Sequence, residues 1–486
     1  MSSFYLLPAW LFLIEFGTRL ALVARVVMRR RPINATLAWV SILLFAPFLG
    51  QFLYLLIGES RLGSRRLKRY ERLSKSLEQE AISLWRHRCL AMEAVPDRCS
   101  HVARYGTAVA GLPPLRGNEL TLYSDNLTMM AALVRDIDQA RDHVHLLYYI
   151  WEDDAAVSPV YESILRAAAR GVRVRLLADG VGSRKFLRGP TCRRLKGAGV
   201  SVVEALPAAL WRMIFARLDL RNHRKIAVID GRTGYCGSQN INGPSYRSSK
   251  WRRPKMWVDA TVRVQGPAAQ ALGVTFLRDW LLDSDEDITD VVCFLPDIGV
   301  PAQDEVLVQL VPSGPGATPL AIHQALLTLI YSAREELIMT TPYFVPDEAM
   351  FEALLAAATR GVDVRLIMPT VSDSHLVAAA ARAHYEQMLE GGIRIFQYNG
   401  GLLHAKTVTV DRNVALIGST NFDHRSFFLN FEATMFIYDD DFASILRFMQ
   451  VGYMESAESI SLEEWRRRSV WERARDNCAK LMGPLL

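Results

Sequence analysis

Two stretches of this 486-residue chain repeat the same polar residues at the same spacing. His223, Lys225 and Asp230 are followed by Gly237, Ser238 and Asn240. His404, Lys406 and Asp411 are followed by Gly418, Ser419 and Asn421. An imidazole can attack phosphorus or move a proton, and an ammonium or amide can hold phosphate oxygens as charge builds on them. Two such sets brought face to face would make one pocket with two histidines, two lysines and two asparagines. That pocket suits a phosphodiester. One imidazole attacks and the other protonates the departing alkoxide, which leaves poorly without a proton. No metal or other cofactor is called for, and the chain has no HExxH, no carboxylate cluster with metal spacing and no P-loop. A lone H-x-K would mean nothing; two complete copies carry the reading. Ser238 and Ser419 join Asn240 and Asn421 as candidate substrate-binding groups. Asp230 and Asp411 count with the candidate catalytic set, although fixing the turns Asp230-Gly231 and Asp411-Arg412-Asn413 would explain them at least as well.

Strands are needed to present these side chains, since alternate residues on a strand share a face and would bring each His and Lys together. The chain supplies them by duplication. Residues 159–177, PVYESILRAAARGVRVRLL, align without a gap on residues 349–367, AMFEALLAAATRGVDVRLI. Each reads as a helix stopped at Arg-Gly and followed by a strand. Apolar strands ending in aromatics precede them (HVHLLYYIW and ELIMTTPYFV), and a helix and strand follow near LKGAGVSVVEAL and LEGGIRIFQY. The expected fold is α/β: two duplicated α/β/α domains with mixed, mostly parallel sheets packed face to face. The expected division is an N-terminal membrane hairpin at 1–60, a charged linker at 61–110, and domains at 111–300 and 301–486. The domain boundary falls near LPDIGVPAQDE at 295–305.

Half of the residues are hydrophobic, the mean hydropathy is +0.09, and 57 Lys and Arg face 51 Asp and Glu, a net charge of +6. The excess suits an anionic partner, either a lipid surface or nucleic acid. Residues 35–57 carry no charge over 23 positions. As one helix they would rise ~34 Å, enough for a hydrocarbon core of ~30 Å, with Pro47 a tolerated kink. The segment Phe4 to Val27 holds Glu15 and Arg19 on one helical face, so it either spans the bilayer or lies at its interface. A transmembrane helical hairpin turning at MRRRPIN results. Basic residues lie in its turn (Arg29, Arg30, Arg31) and after it (Arg61, Arg65, Arg66, Lys68, Arg69), and the longer second flank puts the remainder in the cytoplasm. No removable signal peptide is read. The six cysteines are scattered without a C-x-x-C pair, which fits reduced thiols.

The doubled H-x-K-x4-D and G-S-x-N pattern resembles the phospholipase D superfamily. The likeness extends to the bacterial cardiolipin synthases through RRRPINATLAW…APFLGQFLYLLIGE, SGPG at 313–316, WVDATVRVQGP, FLRDW, GSTNFDHRSFFLNFE and the final PLL. It implies that both halves form one active site in an enzyme of the bacterial inner membrane. His223 would be the nucleophile, and His404 the general acid and then base. Glu432 would orient His223, and Asp259 would orient His404. The implied reaction moves a phosphatidyl group between two phosphatidylglycerols through a phosphatidyl-histidine, releasing glycerol; phosphatidylethanolamine could replace one of them. Water must be kept from the intermediate. One departure stands out: GSQNINGPSY lacks the acidic residue that relatives often carry after the asparagine pair. The partners implied are phospholipids and the membrane, with a homo-oligomer allowed and no nucleic acid. A hydrolytic phospholipase D shares the motifs and is the main rival. A nuclease of the superfamily would want a basic groove; the uncharged span argues against it, as does the lack of basic runs other than KWRRPK at 250–255. An idle membrane scaffold is a third reading, disfavoured by two complete motifs.

Overall fold

Each repeated helix stops at a glycine in the left-handed region, Gly171 at φ 85° and Gly361 at φ 90°, where a side chain would strain the backbone. The helices Ser158–Ala169 and Glu348–Thr359 therefore turn directly into the strands Arg173–Asp179 and Asp363–Pro369. The computed structural model describes residues 9–29, 33–58, 64–86, 89–207, 217, 219–246, 255–286, 295–296, 306–315 and 320–483. In the first half, His143–Tyr148, Arg173–Asp179 and Ser201–Ala205 run parallel; in the second, Glu336–Thr340, Asp363–Pro369 and Arg394–Tyr398 do. Beside each parallel set come three antiparallel strands. They are Ile226–Ile229, Thr233–Gly237 and Thr261–Gln265 in one half, and Thr407–Val410, Val414–Gly418 and Glu432–Tyr438 in the other.

The two sheets are not separate, as the sequence reading expected, but join into one mixed sheet of 15 strands. The joint is the strand Leu115–Tyr123. Its residues 119–123 pair with Thr261–Gln265, and Leu115 and Asn118 pair with Val306–Ser313 after a shift in register. Asn118 pins the shift: its amide donates to the carbonyls of Leu115 (2.8 Å) and Val306 (3.0 Å), and its side-chain oxygen accepts from Ala268 N (2.8 Å). Face-to-face packing is present as well. Val228, Cys236 and Val262 of the first half share a core with Ile338, Ile417 and Met435 of the second. Fully buried Arg224 ties the halves: it forks onto Asp279 at 2.6 and 2.7 Å and donates to the carbonyls of Ser313 and Glu432, both at 2.9 Å.

Residues 66–86 and 89–110, within the stretch expected as a linker, belong to this body. The helix Ser64–Trp85 sends Leu77, Ala81 and Trp85 into the shared core, and Trp85 Nε1 donates to Gln270 at 2.7 Å. The helix Asp97–Ala110 adds Val102, Ala103 and Ala110 to the second half's core. Their apolar residues recur every third or fourth position among many charges, so composition alone hides the buried face.

The N-terminal unit holds three helices, Ala9–Met28, Ile33–Phe45 and Leu49–Ile57. The single 35–57 helix expected from the sequence is broken at residues 46–48, around Pro47, with Phe48 at φ 59°. The bend is tight. A side chain on Gly50 would meet the Ile42 carbonyl at 2.5 Å, and the Trp39 and Tyr54 rings meet edge to face. No helix among the described residues is long and apolar enough to cross a membrane. Glu15 is buried, paired with Arg19 (2.9 Å) and bonded by Gln51 (2.8 Å). The hairpin turn at 30–32, Arg61, residues 250–254 of the basic run, the boundary at 297–305, Gly316 and the final PLL lie outside the described residues.

Asp230 and Asp411, counted above with the catalytic set, serve the fold. The Asp230 carboxylate accepts the backbone N–H groups of Arg141, Asp142 and His143 at 2.8–2.9 Å. Asp411 does the same for Arg334, Glu335 and Glu336. Each sits at positive φ in the turn after its motif strand and fastens the start of the neighbouring parallel strand. Three charge-assisted bonds take up most of the four lone pairs of such a carboxylate and turn it toward the backbone. Asp230→Ala should therefore lower the thermal midpoint, by about 1–3 kcal/mol of stability, while the folded fraction keeps its turnover. Asp279→Ala should cost more, about 3–5 kcal/mol, since it leaves the Arg224 charge buried and unpaired. Unfolding in mild detergent, followed by circular dichroism, checks both.

Candidate active site

Just before each motif strand the chain leaves its own half and lies along the other. His223 N donates to Phe431 O at 2.9 Å, and Phe431 N donates back to Arg221 O at 2.9 Å. Likewise Leu402–Leu403 pairs with Trp257 and Val258, and His404 N donates to Val258 O at 2.7 Å. The residue after each contact is a carboxylate, and it meets the crossing histidine. Glu432 lies 3.0 Å from His223 Nδ1, and Asp259 lies 2.7 Å from His404 Nδ1. Both carboxylates are buried. A carboxylate on Nδ1 favours a proton there, which leaves Nε2 as the lone-pair nitrogen of the neutral ring.

Ser238 and Ser419, read from the sequence as substrate-binding groups, are buried against the carboxylates. Ser238 Oγ donates to Asp259 (2.7 Å) and accepts from Ala260 N (3.0 Å); Ser419 Oγ donates to Glu432 and accepts from Ala433 N (3.0 Å). They hold the carboxylates that hold the histidines. Asn240 accepts from Ile150 N at 3.1 Å, whereas the side-chain oxygen of Asn421 is buried without a partner. The motif lysines fold back onto their histidines' carbonyls, Lys225 at 2.5 Å and Lys406 at 2.6 Å.

Burial dominates the electrostatics. It lowers His223 to about 4 against the pull of Glu432, and it lowers His404 too. Lys225 falls to about 7 by burial, despite Glu432 and Asp259, and Lys406 is pushed far down by burial and by Lys225. Burial would raise Glu432 and Asp259, but the histidine and lysine charges outweigh it and both are lowered. The influence of Lys406 on His223 and of Lys225 on His404 joins the two motifs in one electrostatic cluster. An anion placed among these groups would favour their protonated forms and be held by them. Among the described residues no group of three or more His, Cys, Asp or Glu could hold a metal ion.

Several groups here escaped the sequence reading. The Tyr149 ring meets His223 edge to face at 5.1 Å, with Lys225 Nζ 5.5 Å from its centre, and Trp257 meets His404 at 5.0 Å. Their signals were the aromatic pair in LLYYIW and the Trp two places before Asp259. Buried Asp179 accepts from Asn222 N at 3.0 Å and so fixes the residue before His223. Asp423, raised to about 6 chiefly by burial, caps the short helix after the second motif by accepting from Ser426 N at 2.7 Å. Asn242 occupies the matching place in the first motif, and GSTNFD set beside GSQNIN was the available clue.

Comparison with known proteins agrees with this geometry. Residues 133–280 and 326–448 match the family described as "Cardiolipin synthase, PLD-like domain", and residues 20–59 match a phospholipase D-nuclease N-terminal family. Cardiolipin synthase A of Yersinia pseudotuberculosis is 37% identical over 490 residues, with 100% of both chains covered, and that of Yersinia pestis is equally similar. Phosphatidylserine synthase of Haemophilus influenzae shares the fold, with a TM-score of 0.58 at 15% identity over 79% of this chain and 100% of that one. Full-length likeness and two matched repeats agree: the chain belongs to the cardiolipin synthase family of phospholipase D-like phosphatidyltransferases.

Proposed function

We propose that the chain makes cardiolipin from two molecules of phosphatidylglycerol, with His223 as nucleophile and His404 as acid and then base. The observation that carries this is the crossed pairing, in which each imidazole is aimed by a carboxylate from the opposite half. His223 Nε2 attacks phosphorus, the bond from phosphorus to the glycerol oxygen breaks, and the alkoxide takes a proton from His404. The free hydroxyl of a second phosphatidylglycerol then gives its proton to His404 and attacks the phosphatidyl-histidine, and the P–N bond breaks. One phosphodiester replaces another, so no nucleotide is needed. Lys225, Lys406, Asn240 and Asn421 hold the non-bridging oxygens.

Charge counting supports the scheme. Two lysine cations balance Glu432 and Asp259, so one phosphodiester anion is matched by one proton on the histidine pair. The likeness of the first motif assigns attack to His223, and the closer carboxylate at His404 favours the imidazolium there. The N-terminal unit exposes Trp10, Leu13, Phe45 and Leu49. That apolar surface fits a bilayer anchor, and we place the catalytic halves on the cytoplasmic face of the bacterial inner membrane. The membrane would also limit water at the intermediate.

Purified protein given phosphatidylglycerol should yield cardiolipin and glycerol; predominant phosphatidic acid would show hydrolysis instead. His223→Ala and His404→Ala should each lower turnover by about 10²–10⁴-fold. A phosphatidyl ester of p-nitrophenol separates their roles, because that leaving group needs no proton. His404→Ala should then release one burst and stall, while His223→Ala releases none; a burst from His223→Ala would refute the assignment. Dependence on pH follows from burial. Lys225 holds its proton below its folded pKa of about 7, and His223 is neutral above about 4. In the free enzyme kcat/KM should fall toward pH 4 as His223 takes a proton, and fall on the alkaline side by about pH 7 as Lys225, together with the lowered His404 and Lys406, loses its proton. Bound phosphodiester raises the lysines, so the alkaline limb of kcat should lie higher. A kcat/KM that stays flat through the alkaline range would remove Lys225 from the scheme.

A further inference from the structure

The helix Val470–Leu481 shows two unlike faces. One is fixed to the protein. Ala479 packs with Val345, Ala379 and Ala380, and buried Asp476 is bonded by Arg382 at 3.0 Å and also by Arg468. A capping box, Ser469 with Glu472, closes its first turn. The opposite face carries Val470, Trp471, Ala474, Cys478, Leu481 and Met482, all exposed and spaced three or four residues apart, so they form one stripe. Trp471 is 85% exposed, Leu481 79% and Val470 76%. Nothing among the described residues covers them. At 100° per residue, Arg475, which also reaches Asp476 at 3.1 Å, borders one edge of the stripe, and Lys480 with Arg473, 3.7 Å from Glu386, borders the other.

We propose that this stripe seats on a phospholipid bilayer rich in anionic lipid and holds the catalytic body against the surface that carries its substrate. The choice of phospholipid rests on the functional reading above; the seating itself does not. An exposed tryptophan with apolar neighbours between two cationic edges matches an interfacial helix, whose indole sits at headgroup level while arginines reach lipid phosphates. Position argues the same way. Val345, against which Ala479 packs, lies on the strand Phe344–Val345, and this pairs with Phe422–Asp423 directly after Asn421 of the candidate site. A bilayer on the stripe is thus bound close to the strand ends that bear the chemistry. The helix is pinned on its inner face, so docking orders little new structure and little entropy opposes it.

The test uses the full chain in vesicles. Cys478 lies on the stripe, and Cys89, Cys99, Cys192 and Cys236 are buried. With Cys293→Ser in the background, a polarity-sensitive fluorophore on Cys478 reports where the stripe sits. In vesicles of phosphatidylglycerol and phosphatidylcholine its emission should shift to the blue and be quenched by lipids brominated near the top of the acyl chain. Both effects should be weaker in phosphatidylcholine alone. Trp471→Asp with Leu481→Asp should abolish both and raise KM for vesicle phosphatidylglycerol about tenfold or more at retained kcat. Trp471→Phe should restore them, and equal thermal midpoints exclude misfolding. A label that stays water-exposed in every vesicle overturns the proposal. So does Cys478–Cys478 cross-linking alike in detergent and vesicles, which would make the stripe a seam between two copies. The label reads without turnover, so a chain that seats this way but yields phosphatidic acid refutes only the functional reading.

Discussion

Neither half can aim its own histidine. The ring of His223 is held by Glu432 and the ring of His404 by Asp259, each across the junction, and the backbone amide of each histidine is held by the residue just before that carboxylate. One short segment of each half thus fixes both the position and the rotation of the opposite imidazole. Two bonds to one ring and its backbone leave little freedom, and an attacking nitrogen needs that restriction. The serines that anchor the carboxylates extend the lock by one layer, so hydroxyls first read for substrate contact stand behind both histidines.

A lock of this kind demands that the halves never slide, and the fold meets the demand three times. The strand Leu115–Tyr123 joins the sheets edge to edge, the shared core joins them face to face, and Arg224 joins them by charge. The Arg224 linkage is the most demanding. A buried guanidinium is tolerable only with every donor engaged, and its partners come from both halves, so any relative shift would strand charge in the core. The same economy explains the lysines. Buried cations close to one another are costly in the free site, and a phosphate anion relieves the cost, so affinity for the reacting group is built into the empty pocket.

The sequence made the repeat, the strands and the histidines legible because those depend on spacing, which a duplicated chain displays twice. Pairing across the junction came only through family likeness, since no local pattern says which carboxylate meets which ring. Roles were harder still. Asp230 and Ser238 belong to the motif as firmly as His223, yet they bond backbone and carboxylate, and only the partners' positions tell these cases apart. Charge misled at 64–85, where Leu77, Ala81 and Trp85 sit at helical spacing among Lys, Arg and Glu. Hydropathy misled at 35–57, where an uncharged run suggests one helix and Pro47 with the packing of Gly50 on Ile42 makes two.

A nearly symmetric pocket must still perform an asymmetric reaction, in which one histidine attacks and the other moves the proton. The duplication would give two equivalent rings if every neighbour were duplicated, and they are not. Asp423 stands where the first repeat has Asn242, and the carboxylate on His404 lies closer than that on His223. A closer anion stabilises an imidazolium more, whereas a buried carboxylate stands beside the lysine in both halves, Asp179 by Lys225 and Asp423 by Lys406. The shorter contact fits the proposed place of the proton, on His404. In the proposed scheme the nucleophile is then the ring left neutral, and the difference between the two orienting carboxylates, glutamate in one half and aspartate in the other, gives a duplicated site its direction.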